Sequence, residues 1–245
     1  EVTKQRLIVQ NDLREAIEQD QLELYYQPKI NAQTNQVLGC EVLVRWNHPH
    51  YGLLFPDTFI PFAEEAGHMY LIDHYVLERA FKQALEWSDT FGLSVAINMS
   101  GAHFQNDKII EKLSEFFEKY PIDPSLIELE VTEAVLISDP DKALDLLTQI
   151  KSLGVKLDLD DFGVGYSSLS YLRTFPVDTI KLDKSFISNI TTNEQDERLT
   201  KGIISLAKDL ELHVVAEGVE TEEHEIFLRE HECDSLQGYR YLKPT

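Results

Sequence analysis

Side chains able to hold a cation or move a proton recur where apolar runs of this chain end. Glu41 and Arg45 lie on one such run, and Asn98 closes the next. Glu130 and Glu133, the adjacent pair Asp160-Asp161, Lys181 with Asp183, Glu217 before Gly218, and Gln237 before Gly238 follow in order. Carboxylate and amide oxygens without histidine or thiolate suit hard dications, Mg²⁺ or Mn²⁺, better than zinc. Neighbouring carboxylates such as Asp160 and Asp161 can reach two ions about 3.5–4 Å apart, the separation used in phosphoryl hydrolysis. Taken singly, each residue has a plainer reading: Glu41 as a solvated strand residue, Asn98 as a turn cap, Asp160-Asp161 as a helix cap, Lys181 and Asp183 as a surface ion pair. Taken together the plainer readings weaken, because carboxylates gathered on converging strand ends repel one another unless cations neutralise them.

The elements that would gather them follow from the apolar pattern. Strand-like runs stand at 22–30, 37–46, 94–100, 126–132, 155–160, 179–183, 212–217 and 235–241, and helical spacing occupies 69–87, 108–119, 142–153, 197–210 and 222–230 between them. Strands alternating with helices imply a parallel sheet with helices outside. The short polar link 31–36 cannot carry a parallel crossover, so the first two strands should pair antiparallel. The expectation is an α/β fold, a TIM-like (β/α)8 barrel with the first strand antiparallel to the second, whose strand ends converge on one face. Residues 1–20 read as a lead-in helix from an upstream domain, and 21–245 as the barrel, without a helix after its last strand. The eight histidines lack metal-ligand spacing and read mostly as structural or solvated. The segment Phe162-Gly163-Val164-Gly165-Tyr166-Ser167-Ser168 could bring backbone N–H groups to a phosphate, although a glycine-bearing turn alone is a weak signal.

Composition narrows the partners. Lys and Arg number 22 against 43 Asp and Glu, a net charge of −21 that repels polyanions and argues against nucleic-acid polymers. Two cysteines, Cys40 and Cys233, cannot form a disulfide framework, which suits a reducing compartment. No run reaches the roughly 18 apolar residues of a membrane span, so no membrane contact is expected of this domain.

The motifs that carry a resemblance are Tyr26-Gln27-Pro28, Glu41-Val42-Leu43-Val44-Arg45-Trp46, Asn98-Met99-Ser100, Glu130-Val131-Thr132-Glu133 and Asp160-Asp161-Phe162-Gly163. Ile180-Lys181-Leu182-Asp183, Ala216-Glu217-Gly218-Val219-Glu220 and Gln237-Gly238-Tyr239 complete them. On these the whole chain resembles the EAL domain family of bacterial cyclic di-GMP phosphodiesterases. The resemblance implies metal-dependent hydrolysis of cyclic di-GMP to linear pGpG by water activated between two ions, Mg²⁺ or Mn²⁺, with Ca²⁺ inhibitory. It assigns Glu41, Asn98, Glu130 and Asp160 to one ion, and Asp160, Asp161 and Glu217 to the second. Lys181, Glu41 and Glu217 become the catalytic set, with Lys181 near the attacking water. Gln27, Arg45, Asp183 and Gln237 are implied for substrate or water, and Glu133 and Glu220 for support of the 161–168 loop. A homodimer, a cytoplasmic setting within a longer chain that other segments could anchor to a membrane, a GGDEF or sensory partner domain, and a place in second-messenger and biofilm control are family expectations. Val42 stands where the family name has alanine, a methyl-scale change that removes no ligand, and Val164 where threonine or alanine is commoner. Two alternatives from other classes are a degenerate receptor that binds the dinucleotide without cutting it, and an enolase-like barrel, in which Asp160-Asp161 would have no role.

Overall fold

A computed structural model describes residues 12–105, 108–163 and 172–245. Its strands are β1 (Leu22–Asn31), β2 (Val37–His48), β3 (Gly52–Leu54), β4 (Ser94–Asn98), β5 (Ile127–Thr132), β6 (Lys156–Phe162), β7 (Thr179–Leu182), β8 (His213–Ala216) and β9 (Ser235–Leu236). Eight of them close a ring in the order β1-β9-β8-β7-β6-β5-β4-β2, because β1 also pairs with β2, and β3 is appended to β2. β1 and β2 run antiparallel, as the short link between them requires. Asn31 shapes that link by accepting hydrogen bonds from the Gln33 and Thr34 amides at 2.9 Å. From β2 through β4 to β9 the pairing is parallel.

Along β5 to β8 the strands alternate strictly. Leu129, Val131, Leu157, Leu159, Ile180, Leu182, Val214 and Ala216 are buried and point outward into an apolar layer shared with the helices. Their neighbours Glu128, Glu130, Asp158, Asp160, Thr179 and Lys181 are equally buried but point inward. TIM barrels usually fill this space with branched aliphatic side chains. Here the core that stabilises the fold lies outside the ring, and the inside is polar. Lys29 of β1 bonds Glu128 of β5 across the lower part of the ring, with Asp158 Oδ2 3.6 Å away. Burial lifts Asp158 to about 7, whereas for Glu128 the Lys29 ammonium outweighs burial and brings it to about 2.

Several expectations need correction at the edges. The hairpin strand β3 and the helix Pro56–Glu65 did not stand out in the sequence; a proline at the helix start and Pro61 within it mask its periodicity. β9 spans two residues instead of seven, because the chain beyond it turns to pair with the loop after β8: Val219 N donates to Gln237 O, and Arg240 N to Val219 O. Beyond β9 the chain returns to β1, where Thr245 and Tyr26 exchange backbone hydrogen bonds. Of the lead-in run 12–20 is described, and 12–18 is helical. Among the described residues no helix is long and apolar enough to cross a membrane.

Close approach of β2 and β4 depends on Gly39, where a Cβ would lie 2.1 Å from Ser94 Oγ and 2.5 Å from its carbonyl oxygen. Gly39→Ala is expected to cost about 1–3 kcal/mol in chemical denaturation. Gly202→Ala, in the helix Glu194–Asp209 with nothing within 4 Å of the new methyl, should instead add about 0.5–1 kcal/mol. Equal midpoints for the two variants would refute this account of the β2–β4 contact.

Candidate active site

Lys181 on β7 is fully buried, and four carboxylates reach it from around the ring. Its Nζ lies 2.8 Å from Glu217 Oε1, 2.9 Å from Glu130 Oε1, 3.3 Å from Asp160 Oδ1 and 3.6 Å from Glu41 Oε2. Glu41 comes from β2, Glu130 from β5, Asp160 from β6, and Glu217 from the residue after β8. No local sequence signal pairs them; closure of the ring does. Glu41 is oriented by two amides: Asn98 Nδ2 donates to Oε1 at 3.1 Å, and Gln237 Nε2 to Oε2 at 2.5 Å. Gln237 Nε2 also lies 3.2 Å from Gln27 Oε1, and Gln27 Nε2 donates to Leu242 O, so the two glutamines form one buried amide chain.

The protonation pattern follows from burial and crowding. Burial alone would raise Glu41, but Lys181 and the two amides hold it below the usual carboxylate range. Glu130 goes the other way, raised well above that range by burial and by the Glu41 and Asp160 charges. Its oxygens have the ionic contact with Lys181 but no aligned hydrogen bond. Burial lifts Glu217 to about 7 in spite of Lys181. For Lys181, burial is overcome by Glu130, Glu217, Glu41 and Asp160, and the ammonium stays protonated.

The Asp160-Asp161 pair is shaped by a break in the β6–β7 register between Leu159 and Phe162. Asp161 sits there with φ 54°, a left-handed conformation that costs a non-glycine residue about 1–2 kcal/mol, and its amide donates to Asp160 Oδ1 at 2.9 Å. On a regular strand the two carboxylates would point to opposite faces. The irregularity turns the chain, and Asp161 is raised by burial and by the nearby Asp160 and Asp183 charges.

The other expected residues are distributed around this centre. Arg45 is buried on β2, with its guanidinium 5.0 Å from the Phe55 ring centroid and 5.5 Å from that of Tyr25. Asp183 caps the short helix Lys184–Ile187 by accepting from Ser185 N at 2.9 Å, and is not among the carboxylates on Lys181. Glu133 is buried at the start of the helix Glu133–Ser138, which settles its location beyond β5. Glu220 forms an ion pair with Lys184 at 2.5 Å on the surface. Residues 164–168 of the glycine-bearing loop lie outside the described residues. Sequence reading missed Lys29, Glu128 and Asp158, although Glu128 and Asp158 stand two residues before Glu130 and Asp160, a spacing that puts them on the same strand face.

Donor chemistry makes the upper cluster suited to dications. Four carboxyl groups face one ammonium, so the buried cluster gains excess negative charge as Glu130 and Glu217 ionise, and every donor is a hard oxygen. As the side chains stand, no group of three or more acidic, histidine or cysteine side chains among the described residues is closed around one point, because Lys181 occupies the centre. The fit therefore rests on donor type, charge and the two unaligned Glu130 oxygens.

Comparison with known proteins agrees with this architecture. A family model described as "EAL domain" matches residues 10–244. Cyclic di-GMP phosphodiesterase NbdA of Pseudomonas aeruginosa is 41% identical over 242 residues, which cover 98% of this chain and 31% of NbdA. The bifunctional diguanylate cyclase/cyclic di-GMP phosphodiesterase MucR of the same species is 37% identical over 98% of this chain and 36% of its own length. The chain thus spans about a third of these relatives. Among solved structures, the PaMucR phosphodiesterase in complex with c-di-GMP superimposes with a TM-score of 0.93 at 38% identity, covering 97% of both chains.

The raised carboxyls fix the sign of a pH effect. Glu217 takes up its proton at about 7 in the folded state against 4.5 unperturbed, so between these values the folded chain binds more protons and stability falls as pH rises. Without dications, the melting temperature should drop by several degrees from about pH 5 to about pH 7.5, and Glu217→Gln should flatten the slope. A melting temperature that climbs through this window would contradict the assignment.

Proposed function

The chain belongs to the EAL domain family, and on that premise we propose that it hydrolyses one phosphodiester bond of cyclic di-GMP, releasing linear pGpG, with Mg²⁺ or Mn²⁺ as cofactor. The observation that carries this reading is the convergence of Glu41, Glu130, Asp160 and Glu217 on Lys181 inside a closed barrel. The phosphodiesterase names of the relatives and the c-di-GMP complex of the superimposed structure support the substrate.

In this proposal Glu41, Asn98, Glu130 and Asp160 hold one dication, and Asp160, Asp161 and Glu217 the second. Bound there, the ions supply Lewis-acid charge to the phosphoryl and leaving oxygens and make the attacking water more acidic. The protein's own groups supply placement. Arg45, steadied between Tyr25 and Phe55, presents a cation to a substrate phosphate in a domain whose overall charge is repulsive. Asn98 and Gln237, the latter also bonded to Gln27, keep Glu41 in one orientation, and the two glutamines offer amides to substrate or water. Lys181 keeps Glu41 ionised and donates hydrogen bonds toward the attacking water; it cannot be a ligand while protonated. Water oxygen bonds to phosphorus, one P–O ester bond breaks, and the opened dinucleotide keeps a terminal phosphate.

The direct test incubates the domain with cyclic di-GMP and Mg²⁺ or Mn²⁺ and looks for pGpG by chromatography; no product with either ion would refute the proposal. Ca²⁺ should bind yet support little turnover, since it prefers longer bonds and more ligands.

Glu41→Ala and Lys181→Ala separate ligand from catalyst. Loss of Glu41 removes an anionic donor, so activity should fall steeply and recover partly at high Mn²⁺. Loss of Lys181 should lower the single-turnover rate by about 10²-fold or more without rescue by excess metal. Parallel recovery of both variants in a Mn²⁺ titration would remove Lys181 from its role.

A further inference from the structure

Below the candidate active site, at the opposite mouth of the barrel, lies a cavity of about 300 Å³. Lys29, Glu128, Asp158, Thr179, His213 and Ser235 are among the residues that line it. Asp158 is fully buried and neither of its carboxylate oxygens makes an aligned hydrogen bond, although the Thr179 hydroxyl and the Glu128 carboxylate lie beside it. Its charged neighbours are Glu128 and Lys29, whose Nζ lies 3.6 Å away and is already bonded to Glu128. A single buried cation thus faces two buried carboxylates, and Asp158 is the one left over. Leaving a buried carboxylate without hydrogen bonds is costly, so a missing partner is the physical expectation.

The other groups nearby are engaged elsewhere. His213 Nε2 is 2.8 Å from Ser235 Oγ, and Asp178 at the rim is bound by Lys151 at 2.8 Å through both oxygens. A dication would have one available carboxylate and would face the Lys29 ammonium at close range. A monovalent ion meets half that repulsion and accepts carboxylate, hydroxyl and water oxygens in loose geometry. We propose that this cavity is a binding site for one small monovalent cation, an alkali ion or ammonium, held by Asp158 together with hydroxyl oxygens of the lining and water. Such an ion would tie β6 to the lower ring and stabilise the folded state by mass action.

The test measures melting temperature of the domain in EDTA at constant ionic strength, comparing KCl, NaCl and NH₄Cl with N-methylglucamine chloride. At least one small cation should raise the melting temperature saturably, by about 3–6 °C at a tenfold excess over its Kd. Asp158→Asn should abolish this difference, whereas Glu41→Ala should leave it intact. Because Asp158→Asn could fail to fold, wild-type crystals soaked in Rb⁺ or Tl⁺ provide a second arm, with an anomalous peak expected beside Asp158. Identical melting in all four salts would overturn the proposal. So would a shift that persists in Asp158→Asn but disappears in Glu41→Ala, which would assign the ion to the upper cluster, or anomalous peaks confined to that cluster.

Discussion

Everything around the centre of this domain answers to one electrostatic constraint: four carboxylates held against a single buried ammonium. At the low effective dielectric of a protein interior, like charges a few ångströms apart repel strongly, and Lys181 can compensate only part of that repulsion. The chain responds by dividing the protonation burden. Glu41, oriented by Asn98 and Gln237, is kept ionised, while Glu130 and Glu217 are pushed upward. Such a cluster opposes folding, so the favourable terms must come from elsewhere, and they come from the apolar layer between strands and helices. The barrel inverts the usual arrangement of its fold, with the apolar core outside the ring and polar and charged groups inside it.

Ring closure is what makes so unfavourable a cluster possible. Residues 41, 130, 160, 181 and 217 are far apart in sequence, and each is placed by the parity of its own strand. Neighbouring strands then fix their relative heights through parallel registers such as Glu130 opposite Asp158 and Lys181 opposite Val215. The departure from regularity between β6 and β7, with Asp161 at positive φ, falls where two consecutive carboxylates are placed near the same centre. A strained residue at that point is consistent with a strand bent for chemistry and not for packing.

Much of this was legible in the sequence, for reasons that can be stated. Strand identities followed from alternation and from apolar runs bounded by turns, and the antiparallel first pair followed from six residues of polar link. The upper cluster was visible because its members end apolar runs. The lower group was not, because Glu128 and Asp158 stand inside strands, where a lone acidic residue between aliphatic neighbours reads as solvent-facing; only closure of the ring turns that face inward. Lys29 is hidden for the same reason in the hairpin. The last strand was overread because Gly238 and Tyr239 continue an apolar pattern whose backbone bonds go to the Val219 loop instead. Contacts that depend on a distant segment leave no local trace.

The two polar groups inside the ring are mechanically one object. Glu128 and Glu130 share β5, Asp158 and Asp160 share β6, and each pair is separated by a single outward leucine packed against the helices. A strand cannot shift at its lower carboxylate without moving the upper one by a comparable distance, since the intervening residue is held on both sides by ladder hydrogen bonds. Lys29 also acts through space, favouring the ionised forms of Glu41 and Glu130 from below. The bonds that hold the barrel's lower half together therefore set the position and charge of the groups above. In this domain the residues that decide chemistry include some that never approach the mouth where a substrate would enter.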